Sequence, residues 1–175
     1  NPTQPDFAAA AETVAKLRPQ AVLMGTAGST FTGFIQAVHK TDAKPSFYGF
    51  SVASLDVINR ELKEMARGVI LAQIMPSLNN AAIPVVSEYL KLLKTKSPNA
   101  KPSASQFEGF VHARLLVEGL RRTGKDLNTA SFIQAMESSG EIAFGRFTVK
   151  YSPKSHNGSD YVELAIINGE GQLKY

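Results

Sequence analysis

Short apolar runs alternate with helical stripes through the first part of the chain. The runs Ala21–Met24, Ser46–Phe50 and Gly68–Met75 contain no charged residue, and such runs are typical of strands buried on both faces of a sheet. An alanine-rich helix from Asp6 to Leu17 precedes them. Apolar residues at helical spacing mark the segments between the runs, namely Phe31, Phe34, Ile35 and Val38, then Leu55, Ile58, Leu62 and Met65. The pattern predicts β-α-β-α-β, the signature of a doubly wound parallel sheet in the α/β class.

A block of helices replaces this alternation after Pro76. Residues 82–96 and 104–123 carry apolar positions at helical spacing, and Asn128 caps a shorter helix that runs to Met136. On the longest of these helices the predicted apolar face consists of Phe110, Ala113, Val117 and Leu120. Amphipathic helices need an apolar partner. They either form a separate small bundle or lie on a sheet that this chain does not supply, and composition leaves both possibilities open.

The pattern returns to β near the end of the chain. Phe144–Tyr151 alternates, Tyr161–Ile167 is mostly apolar, and Asn157-Gly158 between them is a turn signal. These features predict a hairpin made of the two strands. Asn168-Gly169 predicts a second turn before the tail.

Composition limits the classes of function. The 175 residues are 43% hydrophobic and 19% charged, which is typical of a globular domain, and their net charge is +4. Basic residues are scattered without interleaved aromatic residues, so we expect no nucleic-acid partner. The absence of cysteine removes disulfides and thiol chemistry. Because there is no initiator methionine and no basic segment followed by an apolar one, we expect the sequence to start after any targeting segment.

No constellation of catalytic residues stands out. The chain has no G-x-S-x-G elbow, and its three histidines, His39, His112 and His156, lie in unrelated contexts. His112 follows Glu108 by four residues, so both share a helical face, but no third metal ligand accompanies them. We therefore expect no enzymatic activity, no metal and no cofactor.

Polar loops follow the first two predicted strands. The loop Gly25–Thr30 leads into a helix, but it matches neither a P-loop nor G-x-G-x-x-G. The second loop is Ser51–Ser54, and in open parallel sheets ligands bind at the carboxyl ends of strands. Hydroxyl and backbone N–H groups without a base or nucleophile favour binding of a small polar solute. The alternative is a polar connection with a helix cap at Ser29 or Thr30.

Short segments spread over nearly the whole chain are informative when taken together. In order, they are Asp6-Phe7, Pro19–Leu23, Phe47–Gly49, Ala66–Ile70, Phe107–Phe110, Leu120–Gly124 and Phe147–Val162. In this order and spacing they resemble the type I periplasmic solute-binding proteins of the branched-chain amino-acid (leucine/isoleucine/valine) class, which serve ABC importers.

The resemblance implies an incomplete two-lobed fold. Residues 1–75 would be the later half of the second lobe, and residues 76–141 would be helices of the first lobe. Residues 142–175 would return to the second lobe as a β-hairpin and tail. The N-terminal half of the same protein would be missing. Such a receptor is periplasmic or extracytoplasmic and binds a small amino acid, carboxylate or aromatic acid in an interlobe cleft. It would close by hinge motion near Pro76 and residues 142–144. It would then deliver its solute to the membrane permease of an ABC transporter.

The family's ligand contacts can be carried over residue by residue. They fall on Ala27, Gly28, Ser29, Ser51, Val52 and Ser105. Amino-acid-binding members carry an acidic residue at about the position of Ser51, where it pairs with the substrate amine. A hydroxyl cannot form that ion pair, and a charge-assisted hydrogen bond is about twice as strong as a neutral one. A carboxylate, aromatic acid or amide therefore suits these loops better than an α-amino acid.

Functions of other classes stay open. An effector-sensing domain of a regulator or signalling receptor shares this fold, and a DNA-binding motif or membrane span in the parent gene would favour it. The third possibility is an α/β enzyme whose catalytic residues lie in the missing portion. A histidine or carboxylate cluster facing the Ser29 and Ser51 loops would favour the enzyme.

Overall fold

The computed structural model describes residues 6–175, which divide between two compact units described separately below. The first unit contains the residues up to Ile74 together with Val162–Tyr175, and the second contains Met75–Tyr161. The helices are α1 (Ala8–Leu17), α2 (Gly28–His39), α3 (Leu55–Leu62), α4 (Pro84–Lys96), α5 (Ala104–Thr123) and α6 (Thr129–Glu137), with a 3-10 turn at Lys63–Ala66. The strands are β1 (Ala21–Leu23), β2 (Ser46–Phe50), β3 (Ile70–Gln73), β4 (Glu141–Ala143), β5 (Thr148–Lys150), β6 (Glu163–Ile167) and β7 (Leu173–Lys174).

The first unit is built on a five-stranded sheet in the order β1-β2-β3-β6-β7. Strands β1, β2 and β3 are parallel, whereas β6 and β7 join them as antiparallel strands. The predicted β-α-β-α-β order and the α/β fold class are confirmed. The third strand is shorter than the apolar run Gly68–Met75 that predicted it.

The core of the first unit lies on one face of this sheet. Phe31 of α2 and Ile58 of α3 are fully buried in a cluster with Phe47, Leu71 and Ile167, which all project from that face. The close approach requires a glycine in β2, because a Cβ atom at Gly49 would lie 2.6 Å from the Phe31 ring. Among the described residues, the helices that connect the parallel strands lie on one face of the sheet. Both crossovers run in the same direction along the sheet, and crossovers of one hand then place both helices on the same face.

The opposite face of the sheet is apolar and open. The register aligns Leu23, Tyr48, Ile70 and Ile166 in one row across four strands. Leu23 is 72% exposed and Ile166 44% exposed, while the two residues between them are half-buried. This row and the neighbouring exposed residues form what is called below the open sheet face, namely Leu23, Tyr48, Ile70, Ile166, Phe50 and Leu164.

The second unit contains the predicted block of helices. Helix α5 has the bounds that the pattern predicted, and Asn128 caps α6, since its side-chain oxygen accepts a hydrogen bond from the Ser131 N–H at 3.0 Å. The buried core joins Val86 of α4, Val111 of α5 and Phe147 beside β5. Within residues 6–175, no helix combines the length and apolar character that a membrane crossing requires.

Helix α5 is apolar on two sides. The side buried within the unit consists of Phe107, Val111, Leu115 and Gly119. The face predicted from the sequence is a different one, and in it Val117 is 45% exposed and Leu120 39% exposed. Both sets have helical spacing, so spacing could not decide between them. Val117, Leu120 and the exposed Leu116 are called below the second face of α5.

The predicted pairing of Phe144–Tyr151 with Tyr161–Ile167 is wrong. Strand β5 pairs with β4, whereas β6 pairs with β3 and β7. The second predicted turn is confirmed, because the Asn168 N–H donates to the Gln172 carbonyl at 2.9 Å. Burial explains the difference, since side chains around β4 and β5 belong to the core of the second unit and those of β6 to the first. The first unit resumes at Val162.

Candidate solute-binding edge of the sheet

The first predicted loop leads into an uncapped helix. Ala27 is the N-cap of α2, and its side chain offers no capping hydrogen bond. Gly28 has a φ of +57°, a left-handed conformation that glycine adopts without strain. Ser29 and Thr30 lie inside the helix and do not cap it, contrary to the alternative interpretation of this loop. With no acidic residue in the first turn, the amide groups at this end are oriented for an anionic or carbonyl partner.

The second predicted loop is a tight turn at the end of β2. The Ala53 N–H donates to the Phe50 carbonyl at 2.9 Å, which leaves Ser51 half-buried and Val52 65% exposed. Helix α3 follows and carries Asp56 in its first turn. This carboxylate already satisfies the positive end of the α3 dipole, so an anion is attracted more strongly to α2 than to α3.

The parallel register places both loops at the carboxyl edge of the sheet of the first unit. Leu23 at the end of β1 aligns with Tyr48, and Phe50 at the end of β2 aligns with Ala72. The predicted residues Ala27, Gly28, Ser29, Ser51 and Val52 all follow these two strands. Ser105 is exposed in the first turn of α5 and belongs to the second unit.

Two further polar side chains lie at this edge and were not identified from the sequence. Gln73, the last residue of β3, is 4% exposed and pairs in register with Glu163, the first residue of β6. Ser51 and Gln73 directly follow Phe50 and Ala72, the last pair of the β2–β3 register. The available signal was a single polar residue within the apolar run Gly68–Met75.

Hydrogen bonds also join α2 to α3. The buried Thr32 hydroxyl donates to the Glu61 carboxylate at 2.5 Å, and the Gln36 amide donates to the Glu61 carbonyl at 2.8 Å. The bond from Thr32, and after it that from Arg60, lowers the pKa of Glu61 below its ordinary value. The two helices are thereby joined one turn from the uncapped end of α2.

The histidine of the first unit lies away from this edge. His39 is the last residue of α2, at the opposite end from Gly28, and its ring stacks on Phe47. In the second unit, His112 and His156 line an apolar pocket of about 360 Å³, where His156 Nε2 lies 2.8 Å from a carboxylate oxygen of Glu137. Among residues 6–175, no group of three or more histidine, aspartate or glutamate side chains is arranged to hold a metal ion.

Comparison with known proteins agrees with this architecture. The family model described as periplasmic binding protein matches residues 1–172. An extracellular ligand-binding receptor from Verminephrobacter eiseniae ef01-2 is 29% identical, with a TM-score of 0.85 over 97% of this chain and 48% of that one. A possible leucine/isoleucine/valine-binding protein from Rhodopirellula baltica SH 1 is 23% identical, with a TM-score of 0.82 over 90% of this chain and 43% of that one.

A more distant solved structure has the same fold. The substrate-binding protein of an ABC transporter from Aeropyrum pernix is 13% identical, with a TM-score of 0.78 over 96% of this chain and 46% of that one. No curated protein matches the chain. The chain spans about half the length of these solved relatives or less. The match over residues 1–172 confirms the resemblance, and the chain belongs to the periplasmic binding protein family.

Proposed function

We propose that this chain is part of the extracytoplasmic substrate-binding component of an ABC importer. Its solute, a small amino acid, carboxylate or aromatic acid, binds at the carboxyl edge of the first unit's sheet. The proposed contacts are Ala27, Gly28, Ser29, Ser51 and Val52, with Ser105 as a contact from the second unit. The observation that carries the proposal is the uncapped N-terminus of α2 beside the Ser51 turn, in a member of a ligand-binding family.

The chemistry of this edge favours a carboxylate at α2. The first-turn N–H groups have no side-chain acceptor at the N-cap, and the first turn contains no acidic residue. A negative charge at such a helix end gains about 0.3–1 kcal/mol from the dipole, in addition to its hydrogen bonds. The hydroxyl groups of Ser29 and Ser51 add donors for the same group, because both follow the ends of neighbouring parallel strands.

The placement of the histidine of the first unit supports binding without turnover. A hydrolytic site would need a base within about 3 Å of a nucleophile. His39, the histidine of the first unit, lies at the far end of α2 from Ser29. The family consists of ligand-binding and transport proteins, and we propose that this chain likewise has no enzymatic activity.

The apolar surfaces of both units support a missing N-terminal half. The open sheet face exposes Leu23, and the second face of α5 exposes Val117, although each lies in a regular element. Within residues 6–175, β1 is also an edge strand, so one side of it has no neighbouring strand. Relatives of about twice this length supply the chain needed to cover these surfaces. We propose that the first unit belongs to the second lobe of the receptor and that the second unit belongs to the first lobe.

The remaining parts of the proposal concern the whole receptor. As the resemblance implies, it closes by hinge motion at the chain crossings and presents its solute to a membrane permease. Both statements apply to the full-length protein.

The test is a binding screen on a full-length protein that carries this chain. Native mass spectrometry identifies any solute that copurifies, and thermal shift assays use L-leucine, 4-methylpentanoate, L-phenylalanine and 3-phenylpropanoate. We expect at least one of them to raise the Tm. The absence of a shift with all four, together with no copurifying solute, would contradict the transport function.

A matched pair of variants locates the site. Ser51→Ala removes one hydroxyl hydrogen bond, worth about 0.5–1.5 kcal/mol, and should weaken binding by about two- to tenfold. Ser46→Ala changes an exposed serine at the opposite end of the same strand and should leave the Kd unchanged. Equal effects of the two substitutions would place the site elsewhere.

A further inference from the structure

A row of polar side chains crosses the carboxyl edge of the sheet on the face that the helices cover. Gln73 and Glu163 are partners in the β3–β6 register, so their side chains project to the same face. Ser51 and Gln73 are the residues that follow Phe50 and Ala72, the last pair of the β2–β3 register. Because neighbouring strands lie about 4.8 Å apart, the row extends about 10 Å from Ser51 to Glu163. Glu163, at one end of the row, is an anion. Beyond Ser51, at the other end, the neighbouring strand β1 leads into the uncapped α2, which attracts anions.

Gln73 is a buried residue whose side-chain amide has no hydrogen-bond partner in the described chain. Gln73 and Thr32 are the buried polar residues among those described, and the Thr32 hydroxyl is bonded to Glu61. No hydrogen bond joins the Gln73 amide to another side chain within residues 6–175. Since no fully buried side-chain polar atom there lacks a partner, the unpaired amide atoms of Gln73 must keep some contact with solvent. Gln73 is the last residue of β3, so its amide is a candidate hydrogen-bonding group for a solute at the carboxyl end of this strand.

Glu163 supplies a half-buried carboxylate with no cationic partner in the described chain. The basic side chains paired with acids are those of Arg18, Arg60, Arg114, Arg122 and His156, and none of them is paired with Glu163. Carboxylates that are partly removed from water favour a cationic hydrogen-bond donor as a partner. The hydroxyl of Ser51 cannot form an ion pair with an amine, whereas the carboxylate of Glu163, the register partner of Gln73, can.

We propose that Gln73 and Glu163 are specificity-determining contacts of the solute site, a proposal that rests on the function proposed above. The Gln73 amide hydrogen-bonds a polar group of the solute, and Glu163 pairs with a cationic nitrogen. The solute's anionic group lies toward α2 and Ser51, so the row recognises molecules that carry both charges.

The test compares each amino acid with its analogue that lacks the amine, in the full-length protein. Isothermal titration calorimetry is carried out with L-leucine against 4-methylpentanoate and with L-phenylalanine against 3-phenylpropanoate. We expect Glu163→Gln to weaken amino-acid binding about tenfold or more, as is typical when a charge-assisted hydrogen bond is lost, and to leave the analogues unaffected. Glu170→Gln, at an exposed glutamate in the β6–β7 turn, is the matched control and should change neither Kd. Gln73→Met should weaken the binding of both kinds of probe.

The outcomes separate this inference from the proposed function. If the wild-type protein binds none of the four probes and copurifies with no solute, the proposed function fails and the inference fails with it. If it binds one or more, but Glu163→Gln leaves the ratio of amino acid to analogue unchanged, the role of Glu163 is overturned while the proposed function stands. Unchanged Kd values in Gln73→Met overturn the role of Gln73. Gln73→Asn, which keeps the amide but shortens it, replaces the methionine variant if that variant does not fold.

Discussion

Leu23 tests whether the open sheet face is covered in the full-length protein. In this chain its side chain is 72% exposed, whereas Leu71, on the opposite face of the same sheet, is 1% exposed. Full burial of a leucine contributes about 1.5–3 kcal/mol, so the small buried part of Leu23 accounts for less than about 1 kcal/mol. If a second layer from the N-terminal half covers this face, Leu23 becomes a core residue. Its replacement by alanine then costs about 2–5 kcal/mol.

The measurement is the free energy of unfolding of the full-length protein in urea, followed by circular dichroism. Leu71→Ala is the matched control, because it removes the same atoms from a face that is already buried, at an expected cost of about 2–5 kcal/mol. We expect Leu23→Ala to fall in the same range as the control. A loss of less than about 1 kcal/mol in Leu23→Ala, beside a large loss in Leu71→Ala, would refute the idea that this face is covered.

Three other predictions follow from the first unit. Gly28→Ala should lower the free energy of unfolding by about 1–2 kcal/mol, measured in urea, because its φ of +57° is unfavourable for alanine. Since Thr32 and Arg60 lower the pKa of Glu61, its ionised form stabilises the fold above the ordinary carboxyl range, and this contribution is lost as the pH falls through the lowered pKa. Glu61→Gln should therefore flatten the acid side of a stability–pH profile, and an unchanged profile would contradict the assignment. The 175-residue chain alone should bind none of the four probes at micromolar concentration, and calorimetry that shows tight binding would disprove this.

The elements of this chain could be predicted where local pattern and burial agree. The bounds of α5 follow from a serine at the N-cap, apolar spacing and the terminal Gly124. The loop at Ala27–Ser29 could be located because it follows an uncharged apolar run and precedes a helical stripe. Local signals of this kind act within a few residues, so they are present in the sequence itself.

Where two local patterns are equivalent, contacts between distant segments decide which face is buried or which strands pair. The sequence could not predict these outcomes. The two apolar faces of α5 have the same spacing, and only packing against Phe147 and its neighbours shows which one is buried within the unit. The strand at residues 148–150 had two possible partners, and the core that each segment joins selected β4 instead of β6. Gln73 and Glu163 are ninety residues apart in sequence and become neighbours only through the β3–β6 register.

The sequence by itself determined the α/β class, the order of the six helices and the first three strands, and the loops that follow the first two strands. It did not predict β4 or β7. These properties depend on hydrophobic periodicity and turn residues, which act locally. Only the tertiary structure decided which face of the sheet the helices cover, which strands pair and which polar side chains share an edge. Those outcomes depend on the burial of apolar surface between distant segments, and no short stretch of sequence contains that information.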